Sequence, residues 1–83
     1  MLGNAPVTPH VAFGVALRKL RLASGMSQEQ LGLESGVQRN FISLIETGQN
    51  QPTIGTVFRL AAALDTRASK LVAEAEKLMV EKR

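Results

Sequence analysis

The chain has 83 residues, no cysteine, a single histidine and a formal net charge of +3. A chain of this length forms one domain at most, and without cysteine it has neither disulfides nor thiolate ligands for zinc. No apolar run approaches the roughly 18 residues of a membrane span and no secretory leader pattern is visible, so we expect a cytoplasmic protein. We also expect no metal, no cofactor and no enzymatic activity, whereas the excess of Lys and Arg favours a polyanionic partner.

The first nine residues show no periodic apolar pattern, which is typical of a flexible arm over residues 1–9, with Pro9 suited to the first turn of a helix. After them, apolar residues recur at helical spacing between short joints. No segment alternates with period two, so the sequence predicts an all-α fold, a compact five-helix bundle in one domain over residues 10–83. The predicted helices span residues 10–24, 28–35, 38–46, 54–64 and 67–82.

The second predicted helix carries the strongest local signals. Ser27 and Gln30 have the spacing of a capping box, in which each side chain bonds the backbone of the other residue. Gly36 ends the helix, and we expect a positive φ there because the chain must turn within a few residues. Gly32 lies inside the helix, where glycine costs about 1 kcal/mol relative to alanine, so we expect a close approach by the neighbouring helix. The third helix starts at Gln38, a residue type that caps poorly.

The fourth predicted helix follows a threonine that can cap it, Thr53. Apolar residues at helical spacing predict one buried face along this helix. That face comprises Ile54, Val57, Leu60, Ala61 and Leu64.

The middle of the chain combines two short helices with a tight glycine turn. So few residues cannot bring the second helix back along the first, so the two must cross steeply and the outer one protrudes. The spaced signature comprises Leu31 and Gly32 in the first of these helices, Gly36 and Val37 in the turn, and Ile42 and Ile45 on the inner face of the second.

On these residues, the segment 28–47 resembles the helix-turn-helix of Cro/repressor-type (Xre) DNA-binding domains, and similar flanks extend the resemblance over about residues 11–72. The resemblance implies a lambda-repressor-like fold and a transcriptional regulator that binds double-stranded DNA. The segment 38–46 is then the recognition helix, which enters the major groove, roughly 12 Å wide.

In this docking mode the N-terminal residues of the recognition helix lead it into the groove. Arg39 can bond guanine O6 and N7, and Gln38 or Asn40 can pair with adenine N6 and N7, each contact discriminating by about 1–3 kcal/mol. An ordinary solvated charge is the alternative for Arg39. One turn further, Ser43 is a further base-reading candidate, and Leu44 either meets a thymine methyl or packs against the second helix.

Phosphate contacts are expected at two helix starts and one loop. The starts near Gln28 and Thr53 offer backbone amides and a partial positive charge, and Gln28 adds its side chain; a plain helix-start glutamine is the alternative. The resemblance adds the loop after the recognition helix, here Gln49, Asn50 and Gln51. Because these amides are neutral and release no counterions, we expect the DNA affinity to depend only weakly on salt.

Two residues match family positions that pair across helices. Arg21 in the first helix and Glu46 at the end of the recognition helix are expected to form a bidentate ion pair. Such a pair would fix the angle of the recognition helix. We expect the pair to be partly buried; removing one partner would cost about 3–5 kcal/mol if the pair is buried and under about 1 kcal/mol if it is exposed.

The last predicted helix has an apolar stripe that either closes the core or forms a dimer interface. We expect a homodimer through the fourth and fifth helices, which would bind an inverted repeat with two recognition helices about 34 Å apart. An antitoxin or another protein-interaction module with the same fold is the alternative function. The predicted interface residues are Leu71, Ala75, Leu78 and Met79.

Overall fold

The computed structural model describes residues 7–81, with side chains up to Val80. The helices are α1 Pro9–Ala23, α2 Gln28–Ser35, α3 Arg39–Glu46, α4 Ile54–Ala63 and α5 Ala68–Glu81. No strand occurs among the described residues, and the predicted all-α, five-helix architecture is confirmed. In the same range no helix has the length and apolarity needed to cross a membrane. Residues 1–6 of the predicted arm and residues 82–83 lie outside the described part of the chain.

The start of α1 corrects the predicted extent of the arm. Thr8 is the N-cap and Pro9 the first helical residue, where a missing N–H costs no helical hydrogen bond. Val7 is half-buried and packs against the core. Residues 7–9 therefore belong to the folded domain and not to the arm.

The ends of α2 follow from the local rules that the sequence obeys. Ser27 Oγ accepts from the Gln30 N–H at 3.0 Å, and Gln30 Oε1 accepts from the Ser27 N–H at 2.9 Å, so the predicted capping box is confirmed. Gly36 closes the helix in the left-handed region with a φ of 75°, also as predicted. At the start of α3 the Gln38 side chain makes no capping bond. The turn between α2 and α3 therefore begins at a left-handed glycine and ends at a helix start that lacks a side-chain cap.

The core lies where α1 meets α3 and α5, and where α2 meets α3 and α4. Every helix supplies at least one fully buried large side chain, each stabilising the fold by about 1.5–3 kcal/mol. Ile54 is a correction, because at the first turn of α4 its side chain is 74% exposed instead of buried. The fully buried large side chains are Leu17, Leu31, Ile42, Ile45, Leu60 and Leu71.

Two helical glycines let backbone segments approach closely. A Cβ on Gly32 would lie 2.9 Å from the carbonyl oxygen of Val37, so the expected close approach exists and involves the turn itself. A Cβ on Gly14 of α1 would overlap the carbonyl oxygen of Ile45 and lie 3.0 Å from that of Glu46. The last turn of α3 therefore packs directly on the backbone of α1.

Candidate nucleic-acid interface

The third helix, α3, has one face in the core and its N-terminal end in solvent. Ile42 and Ile45 are fully buried on the inner face. Arg39 and Asn40, in the first turn, are exposed, and so is the N-cap residue Gln38. The predicted base-reading residues of the first turn are thus brought together at one exposed helix end, with side chains accessible from outside.

One turn further along α3, Ser43 and Leu44 are half-buried. Their carbonyl oxygens are occupied by the residues that follow. Thr47 Oγ1 lies 3.0 Å from Ser43 O and 3.3 Å from Leu44 O, and the Gln49 N–H donates to Leu44 O at 2.8 Å. The side chains of Ser43 and Leu44 keep partial access to the surface, and both interpretations of Leu44 remain predictions.

Some of the hydrogen-bond donors in the loop after α3 already have acceptors within the chain. The Asn50 N–H donates to Leu44 O at 3.3 Å, and Gln49 Nε2 donates to Thr47 Oγ1 at 2.9 Å. Gln49 and Gln51 are exposed, and Asn50 is half-buried. Because the backbone N–H groups of Gln49 and Asn50 already have acceptors, their remaining donors toward an outside anion lie on the side chains.

The start of α4 has its cap in place. Thr53 Oγ1 accepts from the Thr56 N–H at 3.1 Å and lies 3.1 Å from Thr56 Oγ1. The predicted cap is confirmed, and it occupies the Thr53 hydroxyl. An anion at this helix start would therefore meet the backbone N–H groups of Ile54 and Gly55 rather than the Thr53 side chain.

A buried polar network ties the far end of α3 to its neighbours. Arg21 Nε donates to Glu46 Oε2 at 2.6 Å and Arg21 Nη2 to Glu46 Oε1 at 2.9 Å, while Arg21 Nη1 donates to the Met26 carbonyl at 2.9 Å. Gln28 Nε2 adds a bond of 3.0 Å to Glu46 Oε1. Arg21 is 6% exposed and Glu46 is 7% exposed. The two residues predicted as an ion pair thus meet in the interior, together with two groups that were not predicted there.

The electrostatics of this network follow from its burial and its complete hydrogen bonding. The hydrogen bonds to Glu46, helped by charge attraction and opposed by burial, raise the pKa of the Arg21 guanidinium above its ordinary value. No buried side-chain nitrogen or oxygen among the described residues lacks a partner. The free-energy cost of desolvating charges is offset only when the charges are well paired and fully hydrogen-bonded, and this network meets both conditions.

A known protein family matches this part of the chain. The helix-turn-helix family model HTH_3 matches residues 17–71, a range that includes α2, the turn and α3. This chain belongs to the helix-turn-helix family. The resemblance to Xre-type domains is thereby confirmed, and the family match covers the buried network as well as the exposed end of α3.

Named relatives of this helix-turn-helix chain include regulators and control proteins. It is 38% identical over 56 residues to the control protein C.SmaI of Serratia marcescens, which covers 68% of this chain and 67% of that protein. It is 34% identical over 59 residues to the uncharacterised HTH-type transcriptional regulator y4dJ of Sinorhizobium fredii, covering 71% of this chain and 77% of that one.

Solved structures agree with the helix-turn-helix assignment. The restriction-modification controller protein C.AhdI of Aeromonas hydrophila superposes with a TM-score of 0.72 at 41% identity, covering 74% of this chain and 92% of that one. The clp gene regulator ClgR of C. glutamicum superposes with a TM-score of 0.85 at 24% identity, covering 90% and 96% respectively. At that identity the second likeness shows the fold alone.

The fifth helix of this helix-turn-helix protein corrects part of the predicted dimer interface. Leu71 is fully buried and Ala75 is 6% exposed inside the single chain, because α1 packs along α5 and covers this stripe. Leu71 therefore has no surface for a second subunit, whereas Ala75 lines an open surface groove beside Met79 and remains an interface prediction. Leu78 and Met79, further along α5, are half-buried at the edge of the core and remain interface predictions.

Two residues important for the helix-turn-helix geometry or its surface, Gly14 and Phe58, were not singled out from the sequence. Gly14 carried the same signal as Gly32, a glycine inside a helical pattern. Phe58 is 62% exposed and follows the exposed Ile54 by four residues, so both lie on one outer face of α4. That spacing was readable, but the sequence does not indicate which face of α4 meets the core.

Proposed function

We propose that this helix-turn-helix protein is a sequence-specific DNA-binding transcriptional regulator that works in the cytoplasm and has no catalytic role. The observation that carries the proposal is the contrast along α3. Its first turn presents Arg39 and Asn40 to solvent, while its last residue, Glu46, is held in a buried network. A helix presented in this way fits the major groove, which is about 12 Å wide. The relatives named as transcriptional regulators and control proteins support it.

In the proposed complex, Arg39 bonds guanine O6 and N7, and Gln38 or Asn40 pairs with adenine. Ser43 and Leu44 contact the neighbouring bases from the next turn of α3. Phosphates are held by the Gln28 side chain, the loop amides and the backbone N–H groups that follow the capping residue of α4. The loop residues in this set are Gln49, Asn50 and Gln51, and the capping residue is Thr53, which would position the neighbouring N–H groups through its cap.

The test begins with selection of a duplex from a random-sequence pool by the unmodified chain. Affinity for the selected duplex is then compared between Arg39→Ala and a control, Lys70→Ala, which removes an exposed positive charge from α5. We expect Arg39→Ala to weaken binding about tenfold to a hundredfold and to relax the preference at one base pair. Lys70→Ala should change the affinity little.

Equal losses for the two variants would contradict base reading by Arg39, because they would show that net charge alone matters. Failure to enrich any duplex would overturn the regulator assignment. If the chain selected no duplex but bound a protein partner, the result would favour the function of an interaction module instead.

We further infer a homodimer that binds an inverted repeat. Ile54 and Phe58 form an apolar face on α4, exposed by 74% and 62%, and Met79 and Leu78 lie half-buried on α5. A two-fold axis through these helices would make the interface self-complementary and would place two recognition helices about 34 Å apart on one side of the duplex. The selected duplex should then have two-fold symmetry.

Sedimentation equilibrium tests the interface directly. We expect the unmodified chain to dimerise and Phe58→Glu to be a monomer, since a carboxylate would be desolvated in an apolar contact. Leu33→Glu is the control, because Leu33 is 80% exposed but lies on α2. A monomeric unmodified chain at high micromolar concentration, with and without DNA, would refute the dimer.

A further inference from the structure

Gln28 has two structural roles. It is the first residue of α2, and its half-buried side chain reaches Glu46, the last residue of α3. Gln28 Nε2 donates to Glu46 Oε1 at 3.0 Å, so one hydrogen bond joins the start of α2 to the end of α3. The turn between these helices joins their other two ends, through Gly36. The pair is thus connected at both extremes.

The chemistry of the bond fixes the orientation of the Gln28 carboxamide. A carboxylate only accepts hydrogen bonds, so the amide must direct its NH2 group at Glu46. One N–H and the carbonyl oxygen of the amide then remain for other partners. Glu46 Oε1 also accepts from Arg21 Nη2 at 2.9 Å, so the carboxylate is held from α1 and α2 together.

We propose that Gln28 is a positioning residue for sequence recognition: by bonding Glu46 it fixes the orientation of α3 against α2, and this orientation determines how well base pairs are discriminated. The proposal deepens the proposed function and depends on it for its DNA readout. It differs from a phosphate contact, because phosphate contacts hold any sequence whereas base-edge contacts carry the discrimination. Base-reading groups must be held within about 0.5 Å, so a small rotation of α3 should affect discrimination before it affects general attraction to DNA.

The first experiment measures discrimination. Affinities for the duplex selected by the unmodified chain and for a scrambled duplex of equal length are compared in Gln28→Ala and in a control, Gln30→Ala. Gln30 stands in the same turn of α2, but its side chain accepts from the Ser27 N–H at 2.9 Å and belongs to the capping box. We expect Gln28→Ala to lower the ratio of the two affinities about fivefold or more, and Gln30→Ala to leave it within about twofold.

A second experiment needs no DNA. Amide hydrogen exchange of Ile45 and Glu46 is measured relative to the amides of α5, and we expect it to accelerate about fivefold or more in Gln28→Ala but not in Gln30→Ala. Thermal unfolding of Gln28→Glu tests the contact itself. Two adjacent carboxylates should lower the Tm of this variant below that of Gln28→Ala.

The outcomes separate the alternatives. Equal losses of affinity for the selected and scrambled duplexes in Gln28→Ala would show a phosphate contact alone and overturn the positioning role. Unchanged exchange at the end of α3, or a Tm of Gln28→Glu no lower than that of Gln28→Ala, would overturn it as well. If the unmodified chain selected no duplex, the proposed function and the DNA part of this inference would fall, and the exchange result would still decide whether Gln28 holds α3.

Discussion

The two ends of α3 are built in opposite ways. At its C-terminal end, Glu46 accepts three hydrogen bonds in a buried network, and Gly14 lets the α1 backbone pack directly against the last turn. At its N-terminal end, Gln38 makes no side-chain cap and Arg39 is exposed. The same short helix is therefore held by a buried polar network at one end and exposes polar side chains at the other, where only apolar contacts such as that of Phe41 reach the core.

The difference shows how a small domain can expose polar side chains at one end of a helix while contacts at the other end fix the helix in place. An eight-residue helix is too short to be stable alone, so its geometry must come from tertiary contacts. Because those contacts lie at the C-terminal end, the polar side chains of the first turn remain accessible to a ligand. The orientation of α3 is thus fixed at Glu46, and the side chain that depends on this orientation is Arg39.

Breaking the constrained end should have the largest effect. Arg21→Ala leaves the Glu46 carboxylate buried without its main partner, which we expect to lower the free energy of unfolding by about 3–5 kcal/mol in urea titrations. Arg18→Ala is the control, because Arg18 is an exposed arginine of the same helix; its effect should stay within about 0.5 kcal/mol. Near-parental stability of Arg21→Ala would show that the network contributes little.

A smaller loss is expected from separating the backbones of α1 and α3. Gly14→Ala gains helix propensity but places a Cβ against the carbonyl of Ile45, and we expect a net loss of about 1–3 kcal/mol by thermal or urea unfolding. In Gly55→Ala the nearest atom to the new Cβ is Thr53 Oγ1 at 3.8 Å, so that helical glycine should tolerate alanine or gain slightly. Similar results at both positions would refute the close approach.

A substitution at the N-terminal end of α3 should raise the stability instead of lowering it. Gln38→Ser introduces an N-cap hydroxyl that can accept from the first turn of α3, and we expect it to exceed Gln38→Ala in stability by about 0.5–1 kcal/mol. Comparing the two variants cancels the loss of the glutamine side chain. Equal stability of the serine and alanine variants would indicate that the start of α3 is already satisfied in another way.

The smallest effect concerns salt. The loop after α3 presents neutral amides at residues 49–51, which release no counterions. We therefore expect a shallow dependence of log affinity for the selected duplex on log salt concentration, measured over a series of salt concentrations. A slope as steep as about −6 would contradict this and would indicate several cationic phosphate contacts.

Local rules of the sequence predicted the helix-turn-helix frame. The capping box at Ser27 and Gln30 and the positive φ at Gly36 depend on residues within one turn of each other, and both are present. The approach of Arg21 to Glu46 came from the family resemblance alone. The bond from Gln28 to the same carboxylate was not foreseen, because it depends on the angle between α2 and α3, which no local pattern encodes.

The last two helices show a different limit of prediction from the sequence. An amphipathic stripe indicates that one face of a helix is covered, but it does not indicate what covers it. On α5 the sequence left a choice between core and dimer, and Leu71 is covered by this chain's own α1. On α4 the apolar residues span more than one face, so Ile54 was assigned to the buried stripe although it lies on the outer side with Phe58.

The pairing of α1 with α5 joins the earliest described helix to the latest, and Lys19 and Glu74 meet across it over 55 positions of sequence. During synthesis, therefore, the face of α1 that packs against α5 stays uncovered until Leu71 has been made. Products interrupted before that residue would expose Leu17 and its neighbours to water, and they would be substrates for proteases and chaperones. Closure of the core therefore waits for α5, the last of the described helices.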